Sequence, residues 1–344
     1  MSDHLDPLER TIRINLLKAL TSREPSDMER DLLGLPARHG GLGLPNPVKE
    51  AGASYEAAFK TVEPIVEHIT RRKSCTLDET LSEQSTRIAQ ERRKRTTRVT
   101  ECAKELFERL NPRSKRAMRL AQERGASSWL TALPLSTHGF VLSKGEFHDA
   151  LCLCYGWQPA RLLSHCTDGQ PFTVDHALSC ARGGYVSLRH NEIRDLLGEL
   201  LSETCKNVAT EPMLQPLSGE QFSSRSAVKD EGARLDIRAN GFWGTAFESA
   251  FFDVRVFNPY ARSYRSLTME QLYRRQEREK CLCYEERVRE VERGTFTPLV
   301  FACSGGAGPA STVFLKRLAS MLADKHDMPY SQVIGWLRCR VSVP

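Results

Sequence analysis

Apolar residues recur at helical spacing through RHNEIRDLLGELLSETC, residues 189–205. Ile193, Leu196, Leu197, Leu200 and Leu201 share one face there, and the spacing predicts an amphipathic helix. The period then shortens to two. ARLDI and FFDVRVF, within residues 233–259, alternate β-branched and aromatic residues with polar ones, which predicts two strands, each with one buried face. An earlier strand is expected near 207–213. Thr268 and Gln271 have capping-box spacing and open a helix running to Arg293, with Gly294 closing it just past the end. TFTPLVFAC (295–303) reads as a buried strand, followed by a Gly-rich turn and helices over 309–324 and 330–340. Helix, about three strands, helix, strand and helices make an α/β core with a small mixed sheet.

The region before it is helical in pattern. Residues 1–70 read as short helices around LPARHGGLGLPNP (35–47), whose glycines and prolines dictate irregular backbone. Ser26 and Glu29 have capping-box spacing ahead of Asp31, Leu32 and Leu33. Residues 71–124 hold three basic runs, RRKS (71–74), ERRKRTTR (91–98) and NPRSKRAMRL (111–120). Their helical spacing without a wide apolar stripe predicts exposed helices. Arg92, Arg93, Lys94, Arg95, Arg113, Lys115 and Arg116 then suit three roles. They can form a solvated, salt-bridged face, an arm giving salt-sensitive contacts to phosphates, or a nuclear localisation signal. Composition does not separate the three.

At 344 residues, 40% hydrophobic and 27% charged, the chain has an ordinary soluble composition and room for about two domains. No run approaches the roughly 18–20 apolar residues of a bilayer span, so no membrane partner is expected. The opening MSDHLDPLERTIR lacks the apolar core of a secretory signal. Eleven cysteines in such a chain point to reduced thiols, some of them on a metal. The net charge of +6 is modest but unevenly spread, a mild lean towards polyanions. The expected location is intracellular, with the basic runs pointing to the nucleus.

Metal chemistry is suggested first by SHCTDGQPFTVDHALSCARGG, residues 164–184. His176 and Cys180 have H-x3-C spacing, which sets both side chains on one face of a helical turn. Cys166 and Asp168 lie in a tight turn ending at Gly169. Zinc accepts sulfur, nitrogen or carboxylate oxygen, so Cys166, Asp168, His176 and Cys180 form a candidate Zn²⁺ tetrahedron. Aspartate is an uncommon ligand in a structural site, and His165, Cys154 or Cys152 are alternatives to it. Ordinary buried cysteines around a core histidine are the competing reading.

The second suggestion is the pair of acids, Asp236 and Asp253. A carboxylate on a half-buried strand is costly unless it is paired, hydrogen-bonded or bound to a metal. Side by side, the two would form an oxygen-rich site for Mg²⁺ or Mn²⁺, able to hold a scissile phosphate and activate water. Arg255, two residues after Asp253, shares its face of the strand. Glu277, Lys280 and Tyr284 share one face of the following helix, from which Lys280 could clamp a phosphate with Glu277 orienting it. A structural Asp253–Arg255 pair beside a solvated helix face is the alternative. Phe242 and Trp243, in the Gly-rich loop between the acidic strands, suit either packing or a wedge against DNA. Cys281 and Cys283 read as packing.

The order helix, strands, acid, acid-x-basic, helix, strand resembles the core of PD-(D/E)XK restriction-like endonucleases. Beyond the core, LPARHGGLGL, FTVDHALSC, RHNEIRDLL, ARLDI, FFDVRVFNP, FTPLVF and GGAG resemble, in order, the C-terminal region of non-LTR retrotransposon polyproteins. The resemblance implies three regions: 1–140, a helical basic region like the reverse-transcriptase thumb and linker; 141–188, a zinc knuckle; and 189–344, the endonuclease core. It implies Asp236 as the first acid, Asp253-Val254-Arg255 as the tripeptide, and a further acid from the preceding helix, for which Glu192 is the candidate. The implied activity is metal-dependent nicking of target DNA, whose free 3′ end primes reverse transcription, with element RNA as a further partner. Three departures stand out. Asp168 replaces the second cysteine of the family's C-x-C-G knuckle. Arg255 replaces the tripeptide lysine and is a poor proton-transfer group; Lys280 from the next helix is better suited to that role. No polymerase palm motif is present, which implies a piece or a decayed copy of a longer polyprotein. A catalytically inactive nucleic-acid-binding remnant is the alternative.

Overall fold

The computed structural model describes residues 2–71, 76–131, 141–159, 162–215, 233–264 and 266–342. Most of RRKS (71–74), with residues 132–140 and 216–232, lies outside the described residues. The chain forms two compact units, Met1–Gln122 with Ser143–Trp157, and Glu123–Leu142 with Gln158–Pro344. The described cysteines are free thiols, and no described helix is long and apolar enough to cross a membrane.

The first unit is helical. α1 (Asp6–Thr11) passes through a π-helical stretch into α2 (Lys18–Thr21), followed by α3 (Asp27–Gly34), α4 (Pro47–Arg71), α5 (Leu77–Arg109), α6 (Pro112–Ala121) and α7 (Lys144–Tyr155). Both halves of the Ser26–Glu29 capping box form. The expectation of short helices fails after the Gly/Pro-rich segment, where α4 runs for 25 residues with Pro64 inside it. Proline deletes the N–H that would bond the carbonyl four residues back. Here that carbonyl, Lys60 O, accepts from Arg87 Nη1 of α5 at 3.3 Å, so the neighbouring helix supplies the missing donor. The basic run on α6 is not an exposed helix either. Ala117, Met118, Leu120 and Ala121 are buried, and Lys115 and Arg119 lie over the Phe107 ring.

The second unit is mixed α/β. α8 (Val174–Ala177) and α9 (Tyr185–Thr204) lead into β1 (Lys206–Thr210), β2 (Ile237–Asn240) and β3 (Ser249–Phe257). α10 (Met269–Glu290), β4 (Thr295–Ala302), α11 (Pro309–His326) and α12 (Tyr330–Ser342) follow. The sheet order is β1-β2-β3-β4, antiparallel at the first two junctions and parallel between β3 and β4. Leu197 and Leu201 of α9, Phe314 and Leu318 of α11 and Leu337 of α12 share one core with Phe252, Val254, Leu299 and Phe301 of the sheet. Leu272 and Tyr273 of α10 pack with Phe257, Val300 and Ala302 in a separate cluster. β3 therefore has Ala250 to Val254 buried without a break, where one exposed face was expected. Interior strands between helical layers lose their alternation.

Two helix boundaries differ from the sequence reading. α9 begins at Tyr185 rather than near 189. α10 ends at Glu290, and the left-handed residue after it is Arg293 (φ 55°), not Gly294. Gly294 is needed for space, since a Cβ there would lie 2.6 Å from Ser249 O. Phe242 is fully buried against Phe252 and Phe314, and Trp243 Nε1 donates to Thr297 Oγ1 at 2.9 Å, so both pack inward rather than wedging outward.

A half-buried acid meets α10. Tyr273 Oη donates to Glu123 Oε2 at 2.7 Å, under Gly306, where any side chain would collide with both groups. Burial pushes the Glu123 carboxyl up to about 6, against the opposing hydrogen bond. A carboxyl raised in the fold contributes stability at low pH that is lost as pH rises from its ordinary value of about 4.3 through about 6. Glu123→Gln keeps the acceptor for Tyr273 and removes the ionisation. It should raise stability at pH 8 by on the order of 1–2 kcal/mol and leave it nearly unchanged at pH 4, as chemical unfolding at both values would show.

Candidate functional site

The two acids meet at the end of β2. Ile237 is registered opposite Phe252, and extending that register by one residue sets Asp236 opposite Asp253. Asp236 itself precedes the strand. The peptide N–H of Val254 donates to Asp236 Oδ2 at 2.6 Å, so the carboxylate takes a ladder position that β2 no longer fills. His190 Nε2, from α9, lies 3.2 Å from the same oxygen. Asp253 is 5% exposed, and Lys280 of α10 is in ion-pair contact with its Oδ2. The Lys280 ammonium also sits 5.7 Å from the centre of the Tyr284 ring. Among the described residues, Oδ1 of each aspartate accepts no hydrogen bond, so each acid keeps one oxygen for a further ligand.

The electrostatics follow from burial. Desolvation pushes the Asp253 carboxyl up to about 6, opposed by Lys280 and reinforced by Asp236. Burial alone would pull the Lys280 ammonium down, but Asp253 outweighs it and the net shift is upward. His190 behaves alike: burial opposes its charge, while the bond to Asp236 and the field of both acids raise it. The centre thus holds two acids with a lysine and a histidine biased towards their charged forms. Such an arrangement tolerates a further cation only where the acids have oxygens to spare.

Other expected members are elsewhere. Arg255 shares the α10-facing side of β3 with Asp253, but its Nη1 is 2.9 Å from Glu279 Oε2, so its charge is already matched. Glu277 does not orient Lys280. Its Oε1 accepts from Ala310 N at 2.9 Å, capping α11, whose Gly308 has no side chain to do so. Glu277→Ala should therefore cost about 1 kcal/mol of stability in urea unfolding, the worth of a helix cap, without disturbing Lys280. Glu192 is exposed on α9 and takes no part; His190 does. Its place was legible, because 190 continues the buried row of Ile193, Leu197 and Leu200, whereas Glu192 belongs with the exposed Asp195 and Glu199. Cys283 is exposed rather than packed.

The Cys/His segment closes into a knuckle. Gly169 N bonds Cys166 O at 2.9 Å, Cys166 N bonds Gln170 O at 2.9 Å, and Phe172 N bonds Ser164 O at 3.1 Å, a tight hairpin whose turn holds Gly169 at φ 82°. Thr173 caps α8, which presents His176, and Cys180 follows one turn later. The donor atoms of Cys166, Asp168, His176 and Cys180 all lie within 4.8 Å of one another and could hold a metal ion. Among the described residues, no other group of three or more such donors is so close. His176 Nε2 is buried with no hydrogen bond, 3.3 Å from Asp168 Oδ2, the condition of a nitrogen suited to a metal. The turn amide at Asp168 lowers the Cys166 thiol, favouring the ligating thiolate. His165 is exposed, and Cys152 and Cys154 lie on α7 of the first unit, so none of the alternative fourth ligands joins the group.

The basic runs differ in setting. Arg92, Arg93, Lys94 and Arg95 are exposed on α5, where Lys94 pairs with Glu91 at 2.6 Å while Arg92, Arg93 and Arg95 pair with no acid among the described residues. On α6, Arg113 is exposed, Lys115 and Arg116 are half-buried, and Lys115 is 3.0 Å from Glu108. Compared with known proteins, the chain matches no protein-family model and no curated protein.

Proposed function

We propose that the second unit is a divalent-metal-dependent phosphodiesterase of the PD-(D/E)XK type. More particularly, we infer a DNA endonuclease module of a non-LTR retroelement, nicking target DNA and acting in the nucleus. The carrying observation is the ion pair of buried Asp253 with half-buried Lys280, beside Asp236 just ahead of the neighbouring strand, with Oδ1 of each acid accepting no hydrogen bond among the described residues. Asp236 and Asp253 would hold Mg²⁺ or Mn²⁺. When bound, that ion supplies Lewis-acid charge at the phosphate and lowers the pKa of a water. His190 and the Val254 amide fix the orientation of Asp236. Lys280 neutralises Asp253 and places a cation beside the incoming phosphate. Arg255 reaches a phosphate only on leaving Glu279. The knuckle would take Zn²⁺ as a structural ion.

One observation favours a second reading, an inactive nucleic-acid-binding remnant that contacts DNA or element RNA. Lys280 and Arg255 are both engaged by acids, and no third carboxylate joins the pair among the described residues. Incubating supercoiled plasmid with the full-length protein and Mg²⁺ or Mn²⁺, beside an EDTA control, separates the two. Nicking that EDTA stops supports the endonuclease, and binding without nicking supports the remnant.

DNA contact itself is assigned to α5. Replacing Arg92, Arg93 and Arg95 together with alanine should weaken DNA binding and flatten the salt dependence, reducing the log–log slope by about 2–3 for three lost phosphate contacts. Fluorescence anisotropy between 50 and about 200 mM salt would measure it.

A further inference from the structure

We propose that Arg124 and Arg338 form a binding site for a phosphate group, separate from the acidic pair and independent of the endonuclease reading. Arg124 lies just after α6 in sequence and belongs to the second unit; Arg338 is on α12. Both line a small cleft of about 20 Å³, partly open to solvent, with Gly125, Gly305, Ala307 and Thr312. Among the described residues neither arginine pairs with an acid. Some other arginines do: Arg30 with Glu9, Arg194 with Asp195 and Arg255 with Glu279. Two guanidiniums facing one space repel each other, an arrangement that an anion relieves. Burial, and then the charge of Arg124, hold the Arg338 guanidinium below its ordinary value.

The floor is fixed by glycine. Gly125 (φ 98°) and Gly305 (φ 88°) are left-handed, and a Cβ at Gly305 would lie 2.6 Å from Ser342 O. A Cβ at Gly125 would instead sit 3.6 Å from Arg338 Cδ. Thr312 adds a hydroxyl whose own bond, to Ala307 O, is long at 3.5 Å. A carboxylate is satisfied by one bidentate arginine, whereas two arginines and a hydroxyl suit an oxyanion with several acceptors. That chemistry is shared by free phosphate and by a nucleic-acid backbone.

The test titrates inorganic phosphate into the full-length protein at constant ionic strength and follows thermal unfolding. Wild type should be stabilised by phosphate. Arg124→Gln and Arg338→Gln should each weaken the phosphate affinity at least about tenfold, the scale of one charge-assisted hydrogen bond. Arg340→Gln, which alters an arginine stacked on Trp336 5.4 Å away, should respond like wild type. Removing one of two repelling charges leaves the fold intact, and Arg124, being exposed, decides the matter alone if Arg338→Gln unfolds. A parallel titration with a short single-stranded DNA separates the sources. Equal weakening of DNA binding in both variants assigns the site to backbone phosphate, and a loss confined to inorganic phosphate assigns it to the free anion. No response in wild type, or the same response in all variants, overturns the proposal.

Discussion

Asp253→Ala is expected to abolish metal-dependent nicking, a loss of at least about a thousandfold, as when a main electrostatic anchor of a transition state is removed. The same substitution leaves the half-buried Lys280 ammonium without its partner, at a cost below the roughly 3–5 kcal/mol of breaking a fully buried pair from one side. Activity and fold would then fall together. The double variant Asp253→Ala/Lys280→Met separates them, because it removes both charges and fills the space with an unbranched apolar chain. Its urea midpoint should return towards wild type while nicking stays absent. Restored nicking in the double variant would show that Asp253 serves only the fold.

Loss of metal from the proposed knuckle site is expected to have the second large effect. Between 164 and 184 only Val174 and Cys180 are buried, so apolar burial cannot by itself hold this segment closed. Structural zinc contributes about 10–16 kcal/mol in small zinc-dependent folds, and here the donors of Cys166 and Asp168 in the hairpin lie within 4.8 Å of those of His176 and Cys180. Cys180→Ser should remove bound zinc on elemental analysis and open the segment to trypsin at Arg182. Asp168→Cys should act the other way, since a thiolate suits zinc better than a carboxylate oxygen. Zinc affinity measured against a chelator should rise in that variant.

The element order of the second unit was legible because it rests on local periodicity, from the helix at 189–205 to the strand at 295–303. The cysteine knuckle was legible for a similar reason. Its candidate ligands are close in sequence, and H-x3-C spacing sets two of them on one turn. What sequence spacing cannot carry is competition between partners. Arg255 and Glu277 had the right spacing for the acidic centre, yet Glu279 engages the first and an uncapped α11 engages the second. Both partners come from elements distant in sequence. Pro64 is the same lesson in the first unit: a breaker by local rule, accommodated because α5 brings Arg87 to the freed carbonyl. His190 was missed through choice rather than physics, since its helical row already pointed to the sheet.

The central claim is that Asp236 and Asp253 hold one divalent ion between them. Its most direct test is a Mn²⁺ titration of the zinc-loaded full-length protein, followed by the electron paramagnetic resonance of free Mn²⁺. Wild type is compared with Asp236→Asn and Asp253→Asn. The account predicts that wild type binds Mn²⁺ and that each variant loses at least the roughly ten- to hundredfold in affinity that even an outer-shell partner is worth. Equal Mn²⁺ affinity in all three proteins, or no bound Mn²⁺ in wild type, would contradict it.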